Sequence, residues 1–487
     1  MISGRFSRFL LPILSILVAL PSLTHGQSQP ILYRLQYSAA GDSRVQITLA
    51  LSPAIPAPAI FVMPRNYPGG YSFVPYDSFV EGLNAVSGSG NALPMRKEID
   101  GPRWDIGHPG ESIARIEYQV DIARMEQELH SAVDTSKVRP RYLGALGYSI
   151  FGYVDGFENR QIELRIDAPP GWPILTTLSA SSPASRTVSA EAHNYYALAD
   201  SEVLMGPDLQ IRYLPGKIRL LLAVYSEGEE DVPLEGQLAR EALDKVEAYF
   251  GTTPIQQYTV QLELLRPLAG HDYSFSQEHL DSGTFSSSST RAIHRSSPET
   301  VREARIFNYA HHIAHCWIPK RAYGVGYMPF TWEMPPVIDT IWFNEGFARY
   351  AAIEALTDAM PAEQGRSFRQ EHMARLREIL AEAPPFIQEM SLLLLSREAS
   401  FTYSNDFRIG QNTFARGALM AAEMDDLIRK QTAGKKSLRD GLRYLVEQTS
   451  KSNRPFETND LAGLLKAGTG VDINDVFDRW LKPNPQP

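Results

Sequence analysis

The chain has 487 residues, 43% apolar, 10% aromatic and 21% charged, which excludes a fibrous, collagen-like or wholly disordered polypeptide and leaves room for roughly two to four domains. Its 47 basic residues against 56 acidic ones give a net charge of −9 with no dominant basic tract, so nucleic acid is a poor partner. A single cysteine, Cys316, precludes an intrachain disulfide, and the cores must hold without covalent staples.

Residues 1–26 carry Arg5 and Arg8, an apolar run from Phe9 to Leu20, then Pro21 and a small-residue approach to Gly26. This reads as a secretory signal peptide; the competing reading is an uncleaved anchor. The apolar run is short for a bilayer span, and no later segment approaches ~20 apolar residues. The expectation is an exported protein, periplasmic or secreted, with no stable membrane insertion.

Residues 27–226 read as an N-terminal antiparallel β domain. Ile31 to Tyr37 and Arg44 to Leu51 alternate apolar and polar, Gln161 to Asp167 and Ile218 to Tyr225 repeat the pattern, and Gly, Pro, Asn and Ser clusters separate the runs. The acidic stretch Glu227–Pro233 marks a boundary. Beyond it Leu238, Ala242, Val246 and Phe250 recur every fourth residue and Gly251 closes a helix, Tyr258 to Leu265 reads as a strand, and the serine-rich 276–289 as loop or sheet edge. Ser297-Pro298-Glu299 opens a helix that Pro319 ends, giving 298–318; Asp339 can cap the next. From 361 to 487 the period is helical, with runs at 372–383, 414–431, 438–448 and 459–466, so the chain ends in a C-terminal α-helical domain. No internal repeat is found.

Chemistry concentrates in Tyr309-Ala-His311-His312-Ile-Ala-His315-Cys316-Trp317. On a helix His311 and His315 differ by about 40° in azimuth and ~6 Å in rise, close enough to grip one metal ion. The spacing alone is weak, since 11 histidines give about 0.25 chance pairs of this kind. Glu345, in Ile341-Trp-Phe-Asn-Glu-Gly-Phe-Ala-Arg-Tyr350, shares an apolar face with Trp342 and Ala348, where a carboxylate needs a partner. Zinc would be one. Cys316, Trp317, Trp342, Phe343 and Phe347 read as core packing rather than cofactor contacts.

These residues resemble the glycyl-aminopeptidase family of zinc metallopeptidases, gluzincins that usually carry a PDZ domain. Pro64-Arg-Asn-Tyr-Pro-Gly-Gly-Tyr71 resembles the Pro-Gly-x-Tyr signature of the family's β domain, Trp317-Ile-Pro-Lys-Arg321 its segment after the histidines, and the 30-residue gap from His315 to Glu345 suits it. The resemblance implies a multidomain α and β chain with a thermolysin-like α+β catalytic domain over 227–360, Zn2+ held by His311, His315 and Glu345, and peptide or protein N-termini as partners. No PDZ domain is expected, because helices run to Trp480.

Three positions depart from the family's pattern. The general-base glutamate is replaced by His312, the oxyanion tyrosine of the Tyr-x-Lys-Gly segment by Phe414 (in Phe414-Ala-Arg416-Gly417), and the glycines of Gly-Gly-Leu-Glu-His by Phe275 and Ser276, which should crowd the groove. Glu278, which in the family holds the substrate's free amine, remains. His312 could serve as a substitute base, close the site as a fourth ligand, or face solvent inertly. The sequence thus describes an exported metallopeptidase homologue that removes N-terminal residues if active; the alternatives are an inactive pseudopeptidase (a pseudoenzyme) that binds zinc and peptides, or an interaction protein.

Overall fold

The computed structural model describes residues 29–179, 184–185 and 187–483. The leader expected at 1–26 lies outside the described residues. No helix among them is long and apolar enough to cross a membrane.

The alternation read from the sequence becomes strands with alternating burial. Ile31–Gln36 and Arg44–Pro56 lie in a six-stranded sheet ordered Thr187–Ala192, Ile162–Asp167, Ile31–Gln36, Arg44–Pro56, Ser112–Asp121, Val80–Ser87. The domain expected to be antiparallel contains one parallel pair here, Ile31–Gln36 with Ile162–Asp167. Two smaller sheets complete the domain, and Tyr33, Leu49, Phe61, Tyr118 and Phe151 pack in its core. Apolar side chains on the inward positions of each strand make that core without any crosslink.

A second sheet carries the site, in the order Gln210–Leu214, Arg219–Ser226, Gln257–Leu265, Ser282–Ser288, Ser274–Glu278. Arg219–Ser226 and Gln257–Leu265 are parallel, joined across the helix Val232–Phe250, as a parallel pair requires a crossover. Asp231 caps that helix through Leu234 N–H, and Gly251 ends it at φ 68°. The strands at 210–226 therefore belong to this sheet, and the boundary expected at 226 falls near 207 instead. Strand periodicity is blind to which sheet a strand joins.

Three local expectations also change. The serine-rich 276–289 is neither loop nor wholly edge: Ser274–Glu278 is the edge strand, but Ser282–Ser288 lies inside the sheet, paired on both sides. Its small side chains are buried and hydrogen-bonded, Ser286 Oγ to Glu263 and Thr284 Oγ1 to Asp134. The helix expected at 298–318 spans Glu299–Ala314, because Cys316 and Trp317 N–H turn back to Ile313 and Ala314 O, tightening the last turn. Asp339 does not cap the next helix; its carboxylate pairs with Arg397 at 2.6 Å.

That next helix opens as a π-helix, Trp342–Phe347, and continues as Ala348–Thr357. The long helix Phe407–Gln431 crosses it where Gly417 meets Trp342 O and Gly346 meets the Gly417–Ala418 backbone, so a Cβ at either glycine would collide with main chain. The helices after 361 do not form a core of their own. One continuous core runs from Leu222 and Val246 through Trp317, Trp342 and Phe347 to Leu442, Leu465 and Trp480, so the expected division at 360/361 crosses a single packed body.

Candidate metal centre

His311 lies on the last turn of Glu299–Ala314 and His315 is its C-terminal cap, while Glu345 comes from the π-helix. The three are buried, and one ligand atom from each lies within 4.8 Å of the others. Glu345 Oε2 stands 3.5 Å from His311 Nε2 and 3.4 Å from His315 Nε2. A tetrahedral zinc with ligands at ~2.05 Å has edges of about 3.3 Å, so the donor set fits that ion. The fit extends to the unsatisfied atoms. His315 Nδ1 donates to Ile318 O at 2.9 Å, which leaves Nε2 with its lone pair, and that buried Nε2 makes no hydrogen bond.

Charges among these groups are set by burial against mutual attraction. Burial disfavours the His315 cation, but the carboxylates of Glu278 and Glu345 outweigh it and raise its pKa to about 9. Burial alone dominates at His311, lowered to about 4. Glu345, despite its burial, is held well below the ordinary carboxylate range by the two histidines, His315 first.

His312 is buried, against the expectation that it could face solvent. Its Nδ1 bonds to Asn308 O at 2.9 Å and its ring stands edge-on to Phe285, centroids 5.3 Å apart. It is not part of the converging donor set. Burial and the neighbouring histidines lower its pKa to about 3.

The β domain reaches into the site through Pro68-Gly69-Gly70-Tyr71. Gly69, at φ 89°, passes against Glu278 where a Cβ would strike the carboxylate, and Gly70 lies against the Tyr67 ring. Tyr71 sits at φ 47°, an unusual value for a tyrosine that its surroundings must enforce. Its hydroxyl donates to Glu345 Oε1 at 3.1 Å, so it orients the acid that faces the histidines. Glu278 is buried on the edge strand; Oε2 accepts from Gln277 Nε2 at 3.0 Å, while Oε1 has no partner. Burial raises its pKa, and His315 counteracts this. Next to it, Ser276 Oγ accepts from Asn308 Nδ2 at 3.0 Å, tying the edge strand to the histidine helix.

Phe414 lies on the Phe407–Gln431 helix, its ring 5.4 Å from that of Tyr403, which stands edge-on to Tyr71 at 6.3 Å. The phenyl group at the expected tyrosine position is thus backed by a real tyrosine from the preceding turn. Sequence reasoning noted Tyr71 only as part of a β-domain signature and missed Tyr403, which no motif marks. Cys316 is buried, its thiol pushed up to about 12 by burial, and Trp317 stacks on Phe250 at 4.8 Å, both as core.

Residues 32–207 match the Peptidase M61 N-terminal domain family. An aminopeptidase N family protein from Idiomarina loihiensis superposes with a TM-score of 0.80 at 20% identity, covering 94% of this chain and 76% of its own. The M1 zinc metallopeptidase from Deinococcus radiodurans superposes at 0.58 with 17% identity, covering 95% of both chains. A mutant of that enzyme bound to a Tyr-Ser-Ala substrate gives 0.57 at 16% identity, again covering 95% of each chain. No curated protein matches in sequence.

Proposed function

From a chain that carries a Peptidase M61 N-terminal domain on a gluzincin-type metallopeptidase fold, we infer an exported zinc protein that recognises peptide N-termini on an aminopeptidase scaffold and hydrolyses them negligibly. His311, His315 and Glu345 would hold the ion. When bound, zinc would lower the pKa of a water toward ~7 and polarise a peptide carbonyl. Tyr71 fixes Glu345, and Glu278 Oε1, buried and unpartnered, is free to accept a bond from an α-ammonium.

The reading rests on His312. A general base works best with a pKa near the operating pH, and an imidazole held near 3, anchored to Asn308 and packed on Phe285, is a poor proton acceptor at neutrality. No other side chain of the donor set is free to carry a proton to a leaving amine. Residual aminopeptidase turnover is the second reading, favoured by the Tyr403 hydroxyl beside Phe414. The test is one purified sample assayed for zinc, for calorimetric binding of a free and an N-acetylated peptide, and for release of amino acids. About one zinc per chain, weaker binding of the acetylated peptide and no release are expected. Robust release overturns the inactive reading, and equal affinity for both peptides overturns recognition of the N-terminus. Export is tested by N-terminal sequencing of protein recovered outside the cytoplasm.

A further inference from the structure

A cavity of about 250 Å³ lies beside the histidine helix, lined by Phe307, Arg349, Phe368, His372 and Arg375 among others. It adjoins the donor set on the side away from Glu278. Phe307 lies parallel to the His311 ring, centroids 6.4 Å apart, and Arg349 is one turn beyond Glu345 on the same helix. Glu278, by contrast, acts electrostatically on His315. The order along the histidine helix is therefore Glu278, His315, His311, Phe307, cavity.

Arg349 is the unusual group here. Its Nε is shielded from solvent without a hydrogen bond, and the guanidinium forms no ion pair with any described residue. A guanidinium presents five donors in a planar fork suited to a carboxylate, so leaving it unpaired in a partly buried wall is costly unless a ligand completes it. Arg375 adds a second cation to the lining, and Glu303 and Glu371 add two acids. With the charges balanced overall, the cavity suits one localised carboxylate rather than a polyanion. His372, flanked by Phe307 and Phe368 at 4.5 and 4.4 Å, is held neutral by burial first and then by the two arginines, and makes part of an aromatic wall.

We propose that this cavity is the carboxylate subsite for short peptides: Arg349 receives the C-terminal carboxylate of a ligand whose α-ammonium is held by Glu278, with the donor set between them. This rests on the peptide-recognition reading above. From His315 to Phe307 the helix rises about 12 Å. That is the span of about three to four extended residues, so tri- and tetrapeptides with both ends free are the ligands, and longer chains meet the Phe307 and Phe368 wall.

The experiment is calorimetry on zinc-loaded protein with Ala-Ala-Ala, its C-terminal amide and its N-acetyl form, repeated with Arg349→Leu, Arg349→Lys and Arg375→Ala. The amide is expected to bind about tenfold or more weaker than the acid to the wild type. That ratio collapses in Arg349→Leu and is partly kept in Arg349→Lys, while acetylation still weakens binding in every variant. Arg375→Ala, at an exposed position, lowers the ratio modestly. Equal affinity for acid and amide, with the acetylation effect intact, overturns the carboxylate subsite and leaves N-terminal recognition standing. Loss of the acetylation effect, or no binding of any peptide, overturns both. The acid–amide comparison changes the ligand alone, so it decides the matter even if a variant fails to fold.

Discussion

Two buried histidine–carboxylate clusters sit on either side of Glu278, and they differ in how they are finished. At His279 both ring nitrogens have acid partners, Nδ1 with Asp200 and Nε2 with Glu202, each at 3.1 Å. Those acids are completed in turn: Lys320 and Leu280 N–H reach Asp200, and Ser282 Oγ bonds both oxygens of Glu202. At His311, His315 and Glu345 the contacts stop short. His311 Nδ1 and His315 Nε2 have no hydrogen bond although both are buried. A closed cluster needs nothing further and reads as structural, whereas one with aligned, unsatisfied lone pairs is shaped for something the protein does not itself supply.

The contrast is broken most severely by removing a ligand. Glu345→Ala or His311→Ala should drop zinc from about one per chain to near zero by metal analysis, whereas His279→Leu should leave zinc content unchanged in the folded fraction. The next largest effect is on turnover. His312→Glu places a carboxylate base where the imidazole is, and Phe414→Tyr adds a hydroxyl; the double mutant should raise release of N-terminal alanine by about 10² or more over wild type. Because both groups act on one transition state, the singles need not add. Tyr403 already offers a hydroxyl beside Phe414, so His312→Glu alone should recover more than Phe414→Tyr alone. Wild-type turnover that falls on His312→Glu would instead make His312 the base. Third in size is stability: His279→Leu should cost about 2–3 kcal/mol in denaturant unfolding, because it strands two buried carboxylates.

The difference between the clusters also marks what could be read from the sequence. His311, His315 and Glu345 were legible because helical spacing puts two histidines on one face and a lone acid in an apolar stripe asks for a partner. The Pro68–Tyr71 signature was legible as a pattern, but its purpose depends on a turn between domains that threads two glycines past Glu278 and Tyr67. The π-helix was not legible, because it is stabilised by Gly417 packing on Trp342 O some seventy residues away, a tertiary contact with no local trace. Nor was the sheet membership of 210–226, or Tyr403. Each depends on long-range packing rather than on period or capping.

The smallest expected effect lies at Asp281, in the turn between the edge strand and Ser282–Ser288. Burial raises its pKa to about 7, with Glu202 and Asp200 adding to the shift and Arg321 opposing it. A carboxyl whose folded pKa lies above its unfolded value near 3.8 binds more protons when folded. Below pH 4 both states are protonated and it contributes no penalty; as pH rises from 4 to 7 the unfolded state ionises first and the fold loses stability, and above 7 the loss is constant. Asp281 retains some exposure, so the full shift overstates the cost, and roughly 1–2 kcal/mol is expected. Asp281→Asn should therefore stabilise the protein at pH 7.5 by that amount, do nothing at pH 4, and flatten the stability profile between. A variant no more stable at pH 7.5 than the wild type would mean that Asp281 is already compensated by its surroundings. The acids around His279 would then be balanced as a closed group out to the turn, and the contrast with the open donor set would be sharper than the pKa of Asp281 implies.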